Sequence, residues 1–241
     1  MTVILKAEHL TKSYGAVKVV DDLSVSLHAG EALGVVGPNG AGKTTMINLL
    51  TGITHAEKGT VVFNGEDISR RTPDQRCLAG LGRTYQIPKP FEGMTVFENV
   101  LVGATFGRGR SEKASYEICA RTLDRASLLP HANALAESLS LLERKRLELA
   151  RALATEPKVL LLDEIAGGLT EQEVHSLIDT IKQLRAEGIS IIWIEHIVHA
   201  LMAVVDRLMA IDFGHLIAEG EPRTVIDSPE VRDVYMGSLM V

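Results

Sequence analysis

The feature that most narrows what this chain can become is the run Gly37-Pro38-Asn39-Gly40-Ala41-Gly42-Lys43-Thr44. It is a GxxxxGK(S/T) pattern between the apolar stretch ALGVVG and the helical stretch MINLLTG. The glycines let backbone N–H groups converge on phosphate oxygens, and the start of the following helix adds its partial positive charge. Lys43 is placed to neutralise the β and γ phosphates of a nucleoside triphosphate, and Thr44 to offer its hydroxyl to Mg²⁺. Strand, glycine loop and helix in this order predict a nucleotide site. A glycine loop without a ligand is the competing reading, and the flanking strand and helix weigh against it.

A strand that is apolar without alternation is buried on both faces, as in a parallel sheet covered by helices. ALGVVG, KVLLLDE and SIIWIEH share that texture, and EQEVHSLIDTIKQLRAEG between the last two reads as an amphipathic helix ended by Gly188. The expected class is therefore α/β with a mostly parallel core sheet. Earlier, VILKAEHL, VKVV and LSVSL, closed by a turn at His28-Ala29-Gly30, form a β part. Residues 60–63 add a strand before the Asn64-Gly65 turn, and Thr72-Pro73 opens a short helix. IPKP breaks the chain after Gln86, and helical patterns dominate as far as Pro157. The reading is one domain over residues 1–241: an α/β core with its β part from 1–86 and 158–241, and a mainly helical subdomain from 87–157. RLMAID, HLIAEG and a final short helix add little of their own.

In such a sheet, a carboxylate at the C-terminal end of a central strand emerges where ligands bind. Asp163 would hold Mg²⁺ through water, and Glu164 would polarise the attacking water as general base. Alone, the pair reads equally well as two solvated acids at a strand end. Behind a phosphate loop it acquires a role.

Composition excludes more than it assigns. With 46% apolar and 23% charged residues over 241, the chain is neither disordered nor fibrous. Its 25 Lys and Arg against 31 Asp and Glu leave a net −6, which disfavours gripping nucleic acid through its phosphates. Cys77 and Cys119 stand far apart with no metal-ligand spacing, and are expected to be two buried thiols in a reducing compartment. No apolar run has the length of a membrane span, the opening MTVILKAEHL is too short for a secretory signal, and GSLMV holds no prenylation box. The expected location is the cytosol, with any membrane association made through a partner.

Nearly the whole chain resembles the ATP-binding subunit of an ATP-binding cassette (ABC) transporter, a P-loop NTPase of the ABC ATPase type. The landmarks fall in the family's order. Tyr14, in LTKSYG, matches the aromatic that stacks on adenine, and residues 37–45, through Thr45, match the phosphate loop. Gln86, in GRTYQ, matches the glutamine that senses Mg²⁺ and the membrane partner. Asp163 and Glu164 match the metal and base positions, and His196, in IEHIV, the histidine that contacts the γ-phosphate. GRTYQIPKPFEGMTVFENVLVGA, RKRLELARALATEPKVLLLDE and GHLIAEGEPRTVIDSPEVRDVYMG look closest to the branched-chain amino acid importer ATPases. That resemblance implies a peripheral ATPase, working with ATP and Mg²⁺ at the cytoplasmic face of a membrane. It would pair with a second ABC ATPase subunit, two transmembrane permeases and, through these, an extracytoplasmic solute-binding protein. The ATPase of such a machine never touches the solute.

Two positions depart from the family's pattern. Where LSGGQ is usual, the chain reads Leu139-Ser140-Leu141-Leu142-Glu143, with both glycines gone. In the family this segment crosses a dimer interface to the nucleotide of the other subunit, Ser140 matching the serine that contacts phosphate, and leucines restrict that approach. Ser140 and Glu143 also spell a capping box, which is compatible with a phosphate-facing role. Two outcomes stay open: a weakened but usable contact, or a site that binds ATP without hydrolysing it efficiently. The second departure is Ile165, where the family commonly has Pro, before Gly167-Gly168. Three further readings remain: the ATPase of an exporter such as the lipopolysaccharide-transport type, a soluble ABC ATPase of translation or DNA repair, and a non-catalytic regulatory nucleotide binder.

Overall fold

The computed structural model describes residues 2–237. Along the chain run β1 (Val3–Tyr14), β2 (Val17–His28), β3 (Ala32–Val36), α1 (Lys43–Thr51), β4 (Lys58–Phe63), β5 (Glu66–Asp67), α2 (Pro73–Ala79) and β6 (Leu81–Arg83). Then come α3 (Val96–Phe106), α4 (Glu112–Arg125), α5 (Leu141–Ala154), β7 (Val159–Asp163), α6 (Glu171–Ala186) and β8 (Ser190–Ile194). The chain continues as α7 (Val198–Met202), β9 (Arg207–Asp212), β10 (His215–Gly220), α8 (Pro222–Asp227) and α9 (Pro229–Gly237). It gathers into two compact units, one from the chain up to Arg76 and from Ser190 onward, the other from Cys77–Ile189. The tail read for a prenylation box lies, from position 238, outside the described residues.

In the first unit, β1 and β2 form a long antiparallel hairpin, and β4 and β5 extend it on the β1 side. Alternation buries Leu5 and Ala7 of β1, then slips by one residue before Leu10. The register shift between Ala7 and Leu10 absorbs that slip as a bulge, with His9 at φ 55° and its Nδ1 2.7 Å from Asp22 Oδ1. Asp22, at φ 54°, carries β2 through the polar pair that made VKVV and LSVSL read as separate runs.

The second sheet of this unit orders β10, β9, β3 and β8. β9, β3 and β8 run parallel, and β10 returns antiparallel. All five residues of β3 are buried, the consequence of strands on both edges and cover on both faces. Gly34 and Trp193 are register partners, and a Cβ at Gly34 would stand 2.7 Å from Leu208 Cδ1. Trp193, the single tryptophan, is fully buried, and its indole Nε1 has no hydrogen-bond partner among the described residues. RLMAID turns out to be more than a tail, since β9 is the strand next to β3.

The C-terminal end of α1 is closed by a buried arginine. Arg76, delivered by α2, donates from Nη1 to the carbonyls of Leu49 (2.7 Å) and Leu50 (2.8 Å), from Nη2 to Ser69 O and from Nε to Arg71 O. A cation here satisfies the last carbonyls of α1 and complements the negative end of its dipole. Burial lowers the guanidinium's proton affinity, yet the four carbonyl contacts keep the charge in place. Arg76→Met should cost about 3 kcal/mol, because buried carbonyls lose their donors. A thermal melt should then show a drop of roughly 6–12 °C. An unchanged melt would mean that water replaces the guanidinium freely.

The second unit packs α3, α4 and α5 around Val96, Val100, Ala104, Cys119, Leu123, Leu147 and Ala150. Gly103 lets α3 lie close to α5, since a Cβ there would meet Arg151 O at 2.6 Å. Cys119 is fully buried, and burial pushes its thiol up to about 11, so it is inert as a nucleophile. Cys77, expected to be buried as well, is only half-buried, because it sits on the short surface helix α2. β6 and β7 pair in parallel, Leu81 opposite Val159. No helix among the described residues is long and apolar enough to cross a membrane.

Candidate functional site

In the first unit, the loop after β3 turns through Gly37 (φ 156°), Gly40 (φ 84°) and Gly42 (φ 100°) before α1 begins. A Cβ at Gly37 would stand 2.2 Å from Ile211 O, and one at Gly42 2.6 Å from Val19 O. The glycines therefore serve backbone packing as well as turning. Lys43, 5% exposed, donates its ammonium to Gly37 O at 2.7 Å and Pro38 O at 2.9 Å, which folds the positive charge back across the loop. Ala41 N–H closes the turn onto Pro38 O, and Ala41 O accepts from Gly214 N–H in the β9–β10 turn.

The helix behind this loop starts unlike α3, α4, α5, α6 and α8, a feature it shares with the short α7. Side chains of Thr95, Ser111, Ser140, Thr170 and Glu221 accept from the first turns of α3, α4, α5, α6 and α8. α1 starts from Gly42 with no side-chain cap and no acid in its first turn. The partial positive charge of that helix start favours an anion. Thr44 and Thr45 lie in that first turn. β3 and β8 are parallel with Val35 opposite Ile194, so the phosphate loop and His196 leave the same edge of the sheet. His196 is exposed there, its N–H bonded to Glu195 Oε2 at 3.1 Å. Tyr14 ends β1 with half its surface open and Lys12 Nζ 5.4 Å from its ring centroid. Phosphate loop, aromatic and histidine thus belong to one unit.

In the second unit, Asp163 ends β7 almost fully buried, with Arg83 Nη2 3.1 Å from its Oδ2 and its own N–H 3.3 Å from Thr84 Oγ1. Glu164 follows at φ 48°, a left-handed conformation that a glutamate rarely adopts. Its Oε2 accepts from Gln86 Nε2 at 2.5 Å. Gln86, Asp163 and Glu164 are therefore brought together by direct bonds or by adjacency. Ser140 heads α5 in a closed capping box: Glu143 N–H reaches its Oγ at 3.4 Å, and its own N–H reaches Glu143 Oε2 at 2.7 Å. The Ser140 N–H bond, helped by the Ser140 hydroxyl and His131, holds the Glu143 carboxyl below its ordinary range. Leu141 is half exposed beside this cap, and Ile165 is buried.

Sequence reasoning missed Lys145, buried on α5, whose ammonium reaches Gln86 O at 2.6 Å and Glu164 O at 3.3 Å. It also missed Arg83 beside Asp163. Nothing within ERKRLE or LGRTY marks these cations as buried, and only the placement of β6 and the 85–91 loop turns them inward.

A fully buried strand, an uncapped glycine turn and an ammonium folded over it define a P-loop nucleotide-binding protein of mixed α/β architecture. Residues 20–167 match the family described as ABC transporter. The chain belongs to that family, and it is an ATPase. A probable branched-chain amino acid transport ATP-binding protein, LivG, of Methanocaldococcus jannaschii is 33% identical, over 97% of each chain. The lipopolysaccharide export system ATP-binding protein LptB of Haemophilus influenzae is 34% identical, also over 97% of each. An ATP-binding cassette of an ABC transporter solved in its ADP conformation superposes with a TM-score of 0.90 at 32% identity. That match covers 98% of this chain and 100% of the other.

Proposed function

We propose that this chain hydrolyses ATP to power a membrane importer for branched-chain amino acids or a related small solute, from the cytoplasmic face. The observation that carries the reading is full-length similarity to a branched-chain amino acid transport ATP-binding protein. It runs through the stretches around GRTYQIPKPF and GHLIAEGEP as well as the nucleotide motifs. The expected companions are a second ABC ATPase subunit, two permeases and a solute-binding protein docked on them, with no nucleic acid.

Residues 37–45 hold the triphosphate, with Gly37, Pro38, Asn39, Gly40, Ala41 and Gly42 offering backbone N–H or shape, and Lys43 its charge. Tyr14 stacks on adenine and His196 meets the γ-phosphate. Thr44 would offer Mg²⁺ a hydroxyl, and Gln86 and Asp163 an amide oxygen and a carboxylate, hard donors of the type that ion takes. Held there with the nucleotide, that ion would supply charge neutralisation on the phosphate oxygens. Glu164 takes a proton from water as the water oxygen attacks the γ-phosphorus; the bond to the β–γ bridging oxygen breaks and ADP leaves. Gln86 holds the Glu164 carboxylate in place during this step.

The capping box at Ser140 supports an asymmetric pair: this chain's own groups turn over ATP, while its LSLLE helix start gives the opposite site a lesser contact. The 34% likeness to a lipopolysaccharide export ATPase is the observation behind the second reading, an exporter. Extraction of the tagged chain in mild detergent separates the two. Two permeases and a second ATPase should co-purify, and branched-chain amino acids with the binding protein should raise ATP turnover of the reconstituted complex. Recovery of an exporter's permeases would sink the importer.

A further inference from the structure

Gln86 is held by more than its bond to Glu164. The loop of residues 85–91 lies against α5 along three side chains spaced three apart, Lys145, Glu148 and Arg151, which fall on one side of a helix. Lys145 Nζ donates to Gln86 O at 2.6 Å and to Glu164 O at 3.3 Å, tying both residues through their backbones. Glu148, 4% exposed, lies against the backbone of Tyr85 and Lys89, whose N–H groups favour its charged form. Arg151 Nη1 donates to Lys89 O at 2.7 Å and to Glu148 Oε2 at 3.2 Å, and its guanidinium lies 4.9 Å from the centre of the Phe91 ring. At the far end, Asn99 receives Phe91 N–H at 2.8 Å and donates to Phe91 O at 3.0 Å.

We propose that Lys145, Glu148 and Arg151 are positioning residues for ATP hydrolysis: a ladder on α5 that sets where Gln86 meets Glu164. Lys145 is the decisive rung, because it alone bonds both backbones. The ladder bonds Gln86, Glu164 and the loop after Gln86, so it acts on the chemical step, and the expectation is that nucleotide affinity changes little. A burial cost accompanies this arrangement. Desolvation pushes the Glu148 carboxyl up despite Arg151 and the two N–H groups, an expense that packing by itself would not require. α5 is also the helix that Ser140 caps, so the same rigid element carries the LSLLE start and the Gln86 support.

The proposal rests on the reading of Glu164 as base, and the test keeps the two apart. Full-length Lys145→Met, Lys145→Arg, Glu148→Gln and Glu164→Gln would be compared for kcat and KM of ATP hydrolysis, for equilibrium nucleotide binding, and for hydrogen exchange of residues 85–91. Lys145→Met should lower kcat about tenfold or more with nucleotide affinity within about twofold, since a displaced catalytic group costs rate and not binding. Lys145→Arg should recover most of the loss. Exchange across residues 85–91 should quicken in Lys145→Met and in the isosteric Glu148→Gln, which keeps the test open should the methionine variant fold poorly. Unchanged kcat in Lys145→Met beside a crippled Glu164→Gln would overturn the ladder alone. Full turnover in Glu164→Gln would overturn the assignment of the base and the ladder with it.

Discussion

Glu164→Gln is expected to lower ATP turnover by about 10²–10³-fold while nucleotide binding stays within about twofold, the signature of a lost general base. The glutamine is isosteric and can hold the φ 48° backbone as well as the glutamate does, so the substitution removes basicity and leaves shape. One partner is affected: Gln86 Nε2 would then face an amide where it had a carboxylate. That change weakens a charge-assisted bond without leaving a buried group unpaired, because Gln86 is exposed. Phosphate release under saturating ATP, set beside equilibrium binding of a fluorescent ATP analogue, reads both quantities. Equal losses in turnover and binding would show that Glu164 holds the nucleotide and does not activate water.

The second large effect lies in the phosphate loop. Gly37→Ala should destabilise the protein by about 3 kcal/mol or more and abolish nucleotide binding, because backbone in a rigid sheet cannot move aside. The new Cβ would sit 2.2 Å from the carbonyl of Ile211, one of the four buried residues of β9. Gly40→Ala is the internal control. It also has a positive φ, at 84°, but nothing within 4 Å of a Cβ, so it should cost about 1–2 kcal/mol of backbone strain. Denaturant midpoints and nucleotide titration of the two variants distinguish close approach from conformational freedom. Similar losses at both positions would place the whole effect in φ.

The nucleotide half of this molecule was legible because its signals are local. GxxxxGK(S/T) needs only neighbouring strand and helix, and ALGVV, VLLLD and SIIWI betray burial on two faces by their lack of alternation. β6 escaped notice, since Leu81-Gly82-Arg83 is three residues long with a glycine and a cation inside it. The importance of RLMAID escaped for another reason: its four buried residues say strand, but not which strand they neighbour. Lys145, Glu148 and Arg151 were least visible. Charges at helical spacing read as a wet face, and what desolvates them is a loop sixty residues upstream in sequence. The capping box at Ser140 was readable, and it formed.

Trp193 has a practical consequence. As the lone indole, packed in β8 opposite Gly34 with its N–H undamped by a partner among the described residues, it is a built-in optical reporter. Its emission arises in β8, beside the strand that feeds the phosphate loop, so blue fluorescence belongs to an intact second sheet. A titration followed at that one wavelength therefore watches the core beneath the nucleotide without any added dye.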